Sequence, residues 1–280
     1  MTGSKDVRLE AAKFYERALK GAAPGCCGAS PNAFAAAAGY SEADLCGMPN
    51  DAALNSFGCG NPVAFAQVSP GQTVVDLGSG VGLDLLIAAR AVGPTGTVIG
   101  VDISEVMLAR ARDNMTRAGV GNVELRQGVI EELPIETASA DWVISNCVIN
   151  LSPDKRAVFA QIHRVLKPGG RMLVSDIVAD GLPSWFRDDP NLRAACIAGA
   201  LPEPDYLAAA RAGGLVEIEI VGRLVYDDDQ VRALVTDALP TLLDTIAAAA
   251  RRPADEVLQE VVAAAHGRVA SVRVAARRSA

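Results

Sequence analysis

The chain has 280 residues, half of them apolar, a formal net charge of −7 and six cysteines. Its length and apolar fraction predict a globular protein with a sizeable core, and its acidic balance argues against nucleic acid or an anionic membrane as the main partner. A polar N-terminus and the lack of a membrane-length apolar stretch favour a cytoplasmic protein, in which cysteines are more often thiols or ligands than structural disulfides.

The first 62 residues predict a helix followed by a cap. A helix is expected over residues 5–22, where apolar residues recur among charged ones. Residues 23–62 are rich in Gly, Ala, Pro, Asn and Cys, a composition typical of irregular structure. We interpret residues 1–62 as an N-terminal helix with a cysteine-bearing cap.

Residues 63–182 predict an α/β domain in which strands and helices alternate. Strand-like apolar runs lie at 73–77, 97–102, 122–126, 141–147 and 171–177, and helical segments at 83–92, 104–118 and 154–166. Such alternation predicts a parallel sheet with helices on both faces. The sequence Lys167-Pro-Gly-Gly170 predicts the end of the third helix and a turn into the last strand of this domain.

Residues 183–280 differ in composition and predict a smaller α+β region. A helix over 191–213, interrupted by prolines, precedes an alternating strand at 216–221. The stretch 227–264 is mostly helical in character, and a last strand is expected at 269–274.

The sequence Asp76-Leu-Gly-Ser-Gly-Val-Gly82 lies between a predicted strand and a predicted helix. A strand, a glycine turn and a helix together place a nucleotide-like ligand at the helix N-terminus, and Gly78, Gly80 and Gly82 let the backbone approach that ligand. Asp102, at the end of the next strand, is placed to accept two ribose hydroxyls. The Gly-x-Gly-x-Gly spacing favours a mononucleoside over a dinucleotide such as NAD.

Five cysteines lie in positions of chemical interest. Cys59 precedes the first strand of the domain, Cys147 ends its predicted fourth strand, and Cys196 lies in a helical stretch. Cys26 and Cys27 form a vicinal pair that could bind a soft metal ion, exchange disulfides or simply be loop sequence. The alternative for each cysteine is a small buried hydrophobic residue.

The chain has two histidines, His163 and His266, and both lie in helical stretches outside any motif. We interpret them as surface or packing residues. Because histidine is the usual general base near neutral pH, its scarcity favours an acceptor that needs no deprotonation or one that binds thiolates. Thiolates select thiophilic centres, of which trivalent arsenic is one.

Two further motifs are more specific than the glycine turn, namely Gly58-Cys-Gly-Asn-Pro62 and Ser145-Asn-Cys-Val-Ile-Asn-Leu151. Together with Gly25-Cys-Cys-Gly28 and Cys196-Ile-Ala-Gly-Ala-Leu201, they resemble the bacterial branch of the arsenite methyltransferases. The resemblance extends from about residue 7 to 217. It implies a Rossmann-like class I methyltransferase fold, with S-adenosylmethionine as cofactor and arsenite or methylarsenite as substrate.

The resemblance also implies roles for individual residues. Cys59, Cys147 and Cys196 match the three cysteines that bind As(III), and Cys26 or Cys27 matches a redox-active cysteine. A thiol reductant, glutathione or thioredoxin, is then expected as co-substrate, with thioredoxin a possible protein partner. The cofactor site is expected to comprise Asp76, Gly78, Ser79, Gly80, Gly82, Asp102, Ile103, Met107, Val129, Ile130, Glu131 and Asn146. Residues 183–280 are expected to complete the arsenic site.

Two alternatives stay open at this point. The same cofactor loop would serve a class I methyltransferase acting on a small quinone or lipid-like molecule. A thiol-based arsenic-binding protein without catalysis would keep the cysteines but consume no S-adenosylmethionine. A dinucleotide-dependent oxidoreductase is least favoured, because the glycine spacing differs.

Overall fold

The computed structural model describes residues 8–13, 15–16, 19, 40–41, 45–46, 48–54, 60–61, 63, 67–182, 199–233, 236, 243–244, 247–248 and 250–280. Cys26, Cys27, Cys59 and Cys196 lie outside these residues, as does most of the predicted cap. Within the part of the chain that is described, no helix is long and apolar enough to cross a membrane.

The described residues form a seven-stranded sheet in the order β3-β2-β1-β4-β5-β7-β6. The strands are β1 (Thr73–Leu77), β2 (Thr97–Asp102), β3 (Val123–Gln127), β4 (Ala140–Asn146), β5 (Leu166–Ala179), β6 (Val216–Val225) and β7 (Val269–Arg277). Strands β1 to β5 pair in parallel, whereas β7 is antiparallel to both β5 and β6. This arrangement confirms the predicted Rossmann-like class I methyltransferase fold. Both β6 and β7 come from the predicted C-terminal region but join the same sheet.

Helices connect the strands and flank the sheet. They are α1 (Asn50–Leu54), α2 (Leu83–Val92), α3 (Glu105–Arg117), α4 (Lys155–Val165), α5 (Glu203–Ala212), α6 (Asp228–Ala233) and α7 (Ala254–Ala265), and a short 3-10 helix spans Ile149–Leu151. Helix α3 begins where the sequence predicts, because the Ser104 side chain accepts a hydrogen bond from the Met107 amide. Residues 8–13, 15–16 and 19 are helical and precede α1.

Alternating side chains of the central strands face two separate cores. Val74 on β1 packs in a cluster with Leu86 of α2, whereas its neighbour Val75 packs in a cluster with Phe159 of α4. Burial on both faces explains why these strands are continuous apolar runs rather than alternating ones. The edge-on contact of Phe159 with Tyr206, at 5.4 Å between ring centroids, joins α4 to α5.

Strand β5 starts earlier than predicted. Helix α4 ends at Val165, but Leu166 already pairs with Ala140, and regular pairing resumes between Arg171 and Trp142. The segment Lys167-Pro-Gly-Gly170 is therefore a bulge within the strand rather than a separate turn. Gly169 takes a φ of 74°, which explains the need for glycine in this bulge.

Candidate cofactor and acceptor site

A cleft opens where the parallel strands β1, β2 and β4 end. Its walls come from the glycine turn after β1, the residues that follow β2, the loop after β3, the end of β4 and the N-terminal helical residues. Ligands of open α/β sheets bind beyond the carboxyl ends of the strands, so the cleft lies where the sequence predicts a nucleoside.

The glycine turn has a conformation that side chains would strain. Gly78, Gly80 and Gly82 have φ values of 69°, 53° and 92°. A Cβ atom on Gly80 would meet nothing within 4 Å, which leaves open space beside the turn for a ligand. A Cβ atom on Gly78 would lie 2.5 Å from Cβ of Val148, so the turn packs directly against the segment that follows Cys147.

Asp102 holds the loop between β2 and α3. Its Oδ2 accepts a hydrogen bond from the Gly80 amide and its Oδ1 one from the Ser104 amide, both at 2.9 Å. Each carboxylate oxygen can accept a second hydrogen bond, which matches the two hydroxyls of a ribose. Burial raises the pKa of Asp102, while the backbone donors partly oppose that shift.

A buried polar network lies beside the glycine turn. The Tyr40 hydroxyl donates to Oδ1 of Asp84 at 2.8 Å, and Nδ2 of Asn146 donates to the same hydroxyl at 2.9 Å. Nδ2 of Asn146 also lies 3.2 Å from Oδ2 of Asp84. Burial raises the pKa of Asp84 to about 6, although the hydrogen bonds from Tyr40 and Asn146 lower it. Burial, followed by repulsion from Asp84 and Asp102, raises the pKa of Asp76 well above its usual range.

The two acids of this network favour a cationic ligand group. Asp84 lines the cleft, and Asp76 is buried next to it at the end of β1. Two neighbouring carboxyl groups that are costly to ionise become easier to ionise when a positive charge binds between or beside them. The ammonium group of an amino acid is such a charge.

The N-terminal helical residues cover the opposite end of the cleft. Ala11 and Tyr15 line it, and Leu19 is buried against Val81 and Met107. Arg8 forms an ion pair of 3.1 Å with Glu131. The helix therefore presents residues 11 and 15, one turn apart, to the cleft, and Leu9 on another side is 48% exposed.

Two polar contacts further fasten this helix and the loop after β3. The Ser104 hydroxyl donates to Glu16 at 2.6 Å, and the Ser152 hydroxyl donates to Glu131 at 2.7 Å. The Glu131 carboxylate thus holds neighbouring protein groups. Val129 and Ile130 also line the cleft, and their apolar side chains form the wall that offers surface for the nucleobase of a nucleoside.

Cys147 lies on the wall of the same cleft, directly after β4. It is buried, with 4% of its surface exposed, and has a φ of 64°, which is unusual for a residue other than glycine. Its amide donates to the Ser175 carbonyl at 2.8 Å. The Cys147 sulfur is in a disulfide, whose second cysteine is not among the described residues.

The structure brings together most of the predicted cofactor residues. Those that line the cleft are Gly78, Ser79, Gly80, Gly82, Asp102, Ile103, Met107, Val129, Ile130, Glu131 and Asn146. Asp76 is buried at the end of β1 and is not part of the lining. Among the described residues no three His, Cys, Asp or Glu side chains group as a metal site. Two members of the predicted cysteine triad, Cys59 and Cys196, lie outside the described residues.

The sequence reading missed Tyr40, Asp84, Arg8 and Ser152. Asp84 follows the glycine turn by two residues, and an acid so close to the first helical turn is a usable signal for a site residue. The other three come from distant parts of the chain. His163 and His266 do not line the cleft, and His266 instead lies 2.7 Å from Asp228 at the surface.

The strand order, the glycine turn and the acid at the end of β2 define a class I methyltransferase. A family model described as a methyltransferase domain matches residues 68–236, and the chain belongs to this family. S-adenosylmethionine is the cofactor that the cleft accommodates, because the cleft has open space at Gly80, spare acceptors on Asp102 and acids beside the turn.

Similar proteins are known from several organisms. An arsenite methyltransferase of Halobacterium salinarum is 45% identical over 183 residues, which are 65% of this chain and 46% of that protein. One of Aquipseudomonas alcaligenes is 38% identical over 191 residues, 65% of this chain and 53% of the relative. The aligned part of the chain thus spans about half the length of these curated relatives.

One solved structure extends the similarity over most of the chain. It is an arsenic(III) S-adenosylmethionine methyltransferase from Chlamydomonas reinhardtii, 32% identical, with a TM-score of 0.58. The match covers 90% of this chain and 75% of that one.

Proposed function

We propose that this protein transfers methyl groups from S-adenosylmethionine to trivalent arsenic held by the thiolates of Cys59, Cys147 and Cys196. The observation that carries the proposal is the position of Cys147, which is buried in the wall of the cofactor cleft next to the glycine turn. The similarity to arsenite methyltransferases supports the same substrate.

The conformation of Cys147 supports a functional role over simple packing. A left-handed backbone at a residue with a side chain costs about 1–3 kcal/mol and persists where the surroundings enforce it, often at functional sites. The hydrogen bond that its amide donates to the Ser175 carbonyl, and its place after the central strand β4, supply that enforcement. A small hydrophobic residue would not require this geometry.

Arsenic binding by three thiols is balanced by the loss of water. Each As–S bond replaces an As–O bond, the hydroxide leaves with the thiol proton as water, and three such exchanges leave arsenic with its lone pair. Soft thiolates favour this centre. No general base is needed to expose the lone pair, which agrees with a cleft whose described lining contains no histidine.

Bound S-adenosylmethionine supplies an electrophilic methyl group on a positively charged sulfur. The role of the protein is then to hold the cofactor and the arsenic in a productive orientation, a contribution of about 7–11 kcal/mol in favourable cases. Asp102 and the turn from Gly78 to Gly82 hold the nucleoside end, and Asp84 with Asn146 receives the amino-acid end.

A reductant belongs to the proposal for two reasons. Methylation uses the arsenic lone pair and formally oxidises As(III) to As(V), so two electrons are needed to restore the trivalent state. Cys147 must also be a free thiolate to bind arsenic, and here it is in a disulfide. Glutathione or thioredoxin, acting through Cys26 or Cys27, would supply these electrons by thiol–disulfide exchange. A cytoplasmic location is part of this proposal, because such thiols are reduced there.

The proposal is tested by incubating the protein with arsenite, S-adenosylmethionine and glutathione and analysing the products by mass spectrometry. We expect methylated arsenic and one S-adenosylhomocysteine for each methyl group. Arsenite binding without consumption of S-adenosylmethionine would instead indicate a sequestering protein. Methyl transfer to a quinone or lipid-like acceptor, unaffected by arsenite, would indicate the organic-acceptor alternative.

The affinity for the cofactor should depend on pH through Asp84. Its pKa of about 6 means that the carboxylate is ionised at pH 7 and protonated at pH 5. Because a protonated Asp84 offers no negative charge to the ammonium group, the affinity for S-adenosylhomocysteine should fall by up to about tenfold per pH unit below 6. Asp76, whose pKa is also raised, should act in the same direction, while Tyr40 stays neutral throughout.

Isothermal titration of S-adenosylhomocysteine into the protein between pH 5 and 7.5 measures this dependence. The Asp84→Asn variant should bind less tightly at pH 7 and lose less affinity on acidification. An affinity of the wild-type protein that stays constant across this range would contradict the role of Asp84.

A further inference from the structure

The Asn146 side chain is shared between two parts of the site. Its Nδ2 carries two hydrogens but lies within hydrogen-bond distance of three acceptors, namely the Tyr40 hydroxyl, Oδ2 of Asp84 and the Gly60 carbonyl. Its Oδ1 accepts from the Gly60 amide at 3.1 Å, which fixes the orientation of the amide. The acceptors therefore compete for the two hydrogens.

The contact with Gly60 joins the two cysteine segments, namely the segment of residues 59–60 and the segment of residues 146–147. Asn146 binds both the amide and the carbonyl of Gly60, a residue that is itself buried. Gly60 is bonded directly to residue 59, and Asn146 is bonded directly to Cys147. These two hydrogen bonds between Asn146 and Gly60 form a clamp, which acts on the backbone next to two of the three proposed arsenic ligands.

The contact with Asp84 joins the same amide to the cofactor end of the cleft. Asp84 and Asn146 both line the cleft, and Gly60 does not. When Asp84 binds a cation, its carboxylate needs the Asn146 hydrogen less, and that hydrogen becomes available to Gly60. Occupancy at Asp84 should then tighten the clamp on the cysteine segments.

We infer that Asn146 is a positioning residue that makes cofactor binding and arsenite binding cooperative. This inference rests on the proposed function, because it concerns the thiols at Cys59 and Cys147. The cooperativity is reciprocal, as linkage requires, so arsenite also strengthens the binding of the cofactor. A ligand that fills the part of the cleft that holds the amino acid of the cofactor strengthens arsenite binding by the thiols. A ligand that fills only the nucleoside part does not.

The experiment compares two ligands that differ at the amino-acid end. Arsenite is titrated calorimetrically into reduced protein from which the reductant has been removed, alone or with saturating S-adenosylhomocysteine or 5′-methylthioadenosine. S-adenosylhomocysteine carries the ammonium group but no transferable methyl group, and 5′-methylthioadenosine lacks the amino acid. We expect the arsenite Kd to fall about tenfold with the first ligand and less than about twofold with the second.

Variants test whether Asn146 transmits the effect. In Asn146→Ala the Kd for arsenite should become the same with and without S-adenosylhomocysteine, within about twofold. Asn122→Ala removes a part-buried amide that donates hydrogen bonds to the carbonyls of Ala89 and Gly93, away from the cleft. This variant should keep the full ratio of the arsenite Kd without S-adenosylhomocysteine to the arsenite Kd with it. The ratio separates coupling from a general loss of stability, which would weaken both measurements together.

A second set of variants acts from the side of Gly60. A Cβ atom on Gly60 would lie 2.5 Å from Oγ and 2.7 Å from Cβ of Ser175, and no other described atom lies within 4 Å. Gly60→Ala should therefore displace this segment and reduce the ratio, although Gly60 itself does not line the cofactor cleft. Ser175→Gly removes both obstructing atoms, so the double variant should regain the ratio, with Ser175→Gly alone as the matched control.

The outcomes separate this inference from the proposed function. Arsenite binding that strengthens with S-adenosylhomocysteine equally in the wild type and in Asn146→Ala overturns the inference while leaving the proposed function intact. Equal effects of the two nucleosides in the wild type also overturn it. Absence of arsenite binding by the wild type overturns both.

Discussion

Replacing Cys147 by serine should reduce arsenite methylation by at least about a hundredfold, while S-adenosylhomocysteine still binds. A hydroxyl is a hard, weakly acidic ligand and does not substitute for a thiolate on arsenic. Cys147 lies in the wall of the cofactor cleft, its side chain is nearly isosteric with serine, and its disulfide is open in the wild type too when glutathione is present, so the loss should appear in turnover rather than in folding. Methylated arsenic is measured by mass spectrometry and cofactor affinity by calorimetry.

Cys46 provides a matched control within the chain, because it is a free and exposed cysteine. Cys46→Ser should methylate arsenite at the rate of the wild type. Unchanged turnover in Cys147→Ser would show that this sulfur does not bind the acceptor, and the proposed function would then have no support from the cleft geometry. Loss of activity in both variants would point to general thiol chemistry instead.

Asp102→Ala should weaken S-adenosylhomocysteine binding by about thirtyfold or more, since hydrogen bonds to a charged group contribute about 1.5–3 kcal/mol each. The variant also leaves the amides of Gly80 and Ser104 without their side-chain acceptor, which loosens the glycine turn. Calorimetric titration at pH 7.5 measures the affinity, and thermal unfolding of the unliganded variant measures how much stability is lost.

An exposed acid on α3, Asp113, serves as the control for Asp102. Asp113→Ala has the same change in charge and should bind S-adenosylhomocysteine within about twofold of the wild type, because surface charges are screened. A cofactor affinity that is preserved in Asp102→Ala would contradict the assignment of this carboxylate to the ribose.

Local sequence was sufficient for those features whose cause is local. The glycine turn after β1 needs residues that tolerate positive φ, and its three glycines with that conformation lie within five consecutive residues of the chain. Ser104 caps α3 because its hydroxyl reaches an amide three residues away. The runs of apolar residues predicted the central strands because parallel strands are buried on both faces.

Errors arose where pairing between strands overrides a local signal. The sequence Lys167-Pro-Gly-Gly170 is a turn by composition, yet the residues that flank it, Leu166 and Arg171, pair with β4, so the ladder of β5 continues on both sides of it. The strand at 216–221 was predicted too short for a similar reason, since β6 extends to Val225 by pairing with β7. Hydrogen bonds to a neighbouring strand stabilise conformations that single-residue preferences do not favour.

By itself, the sequence determined the class of fold, the cofactor loop and the cysteines worth testing, because each is encoded by residues close together in the chain. Only the tertiary structure decided which distant groups meet, such as Tyr40 and Asp84, 44 positions apart, or Asn146 and Gly60, 86 positions apart. Such contacts depend on the order of the strands and on side-chain packing, to which residues from the whole chain contribute. Buried polar groups then take the partners that this packing places within reach, since a buried donor or acceptor left unpaired is costly.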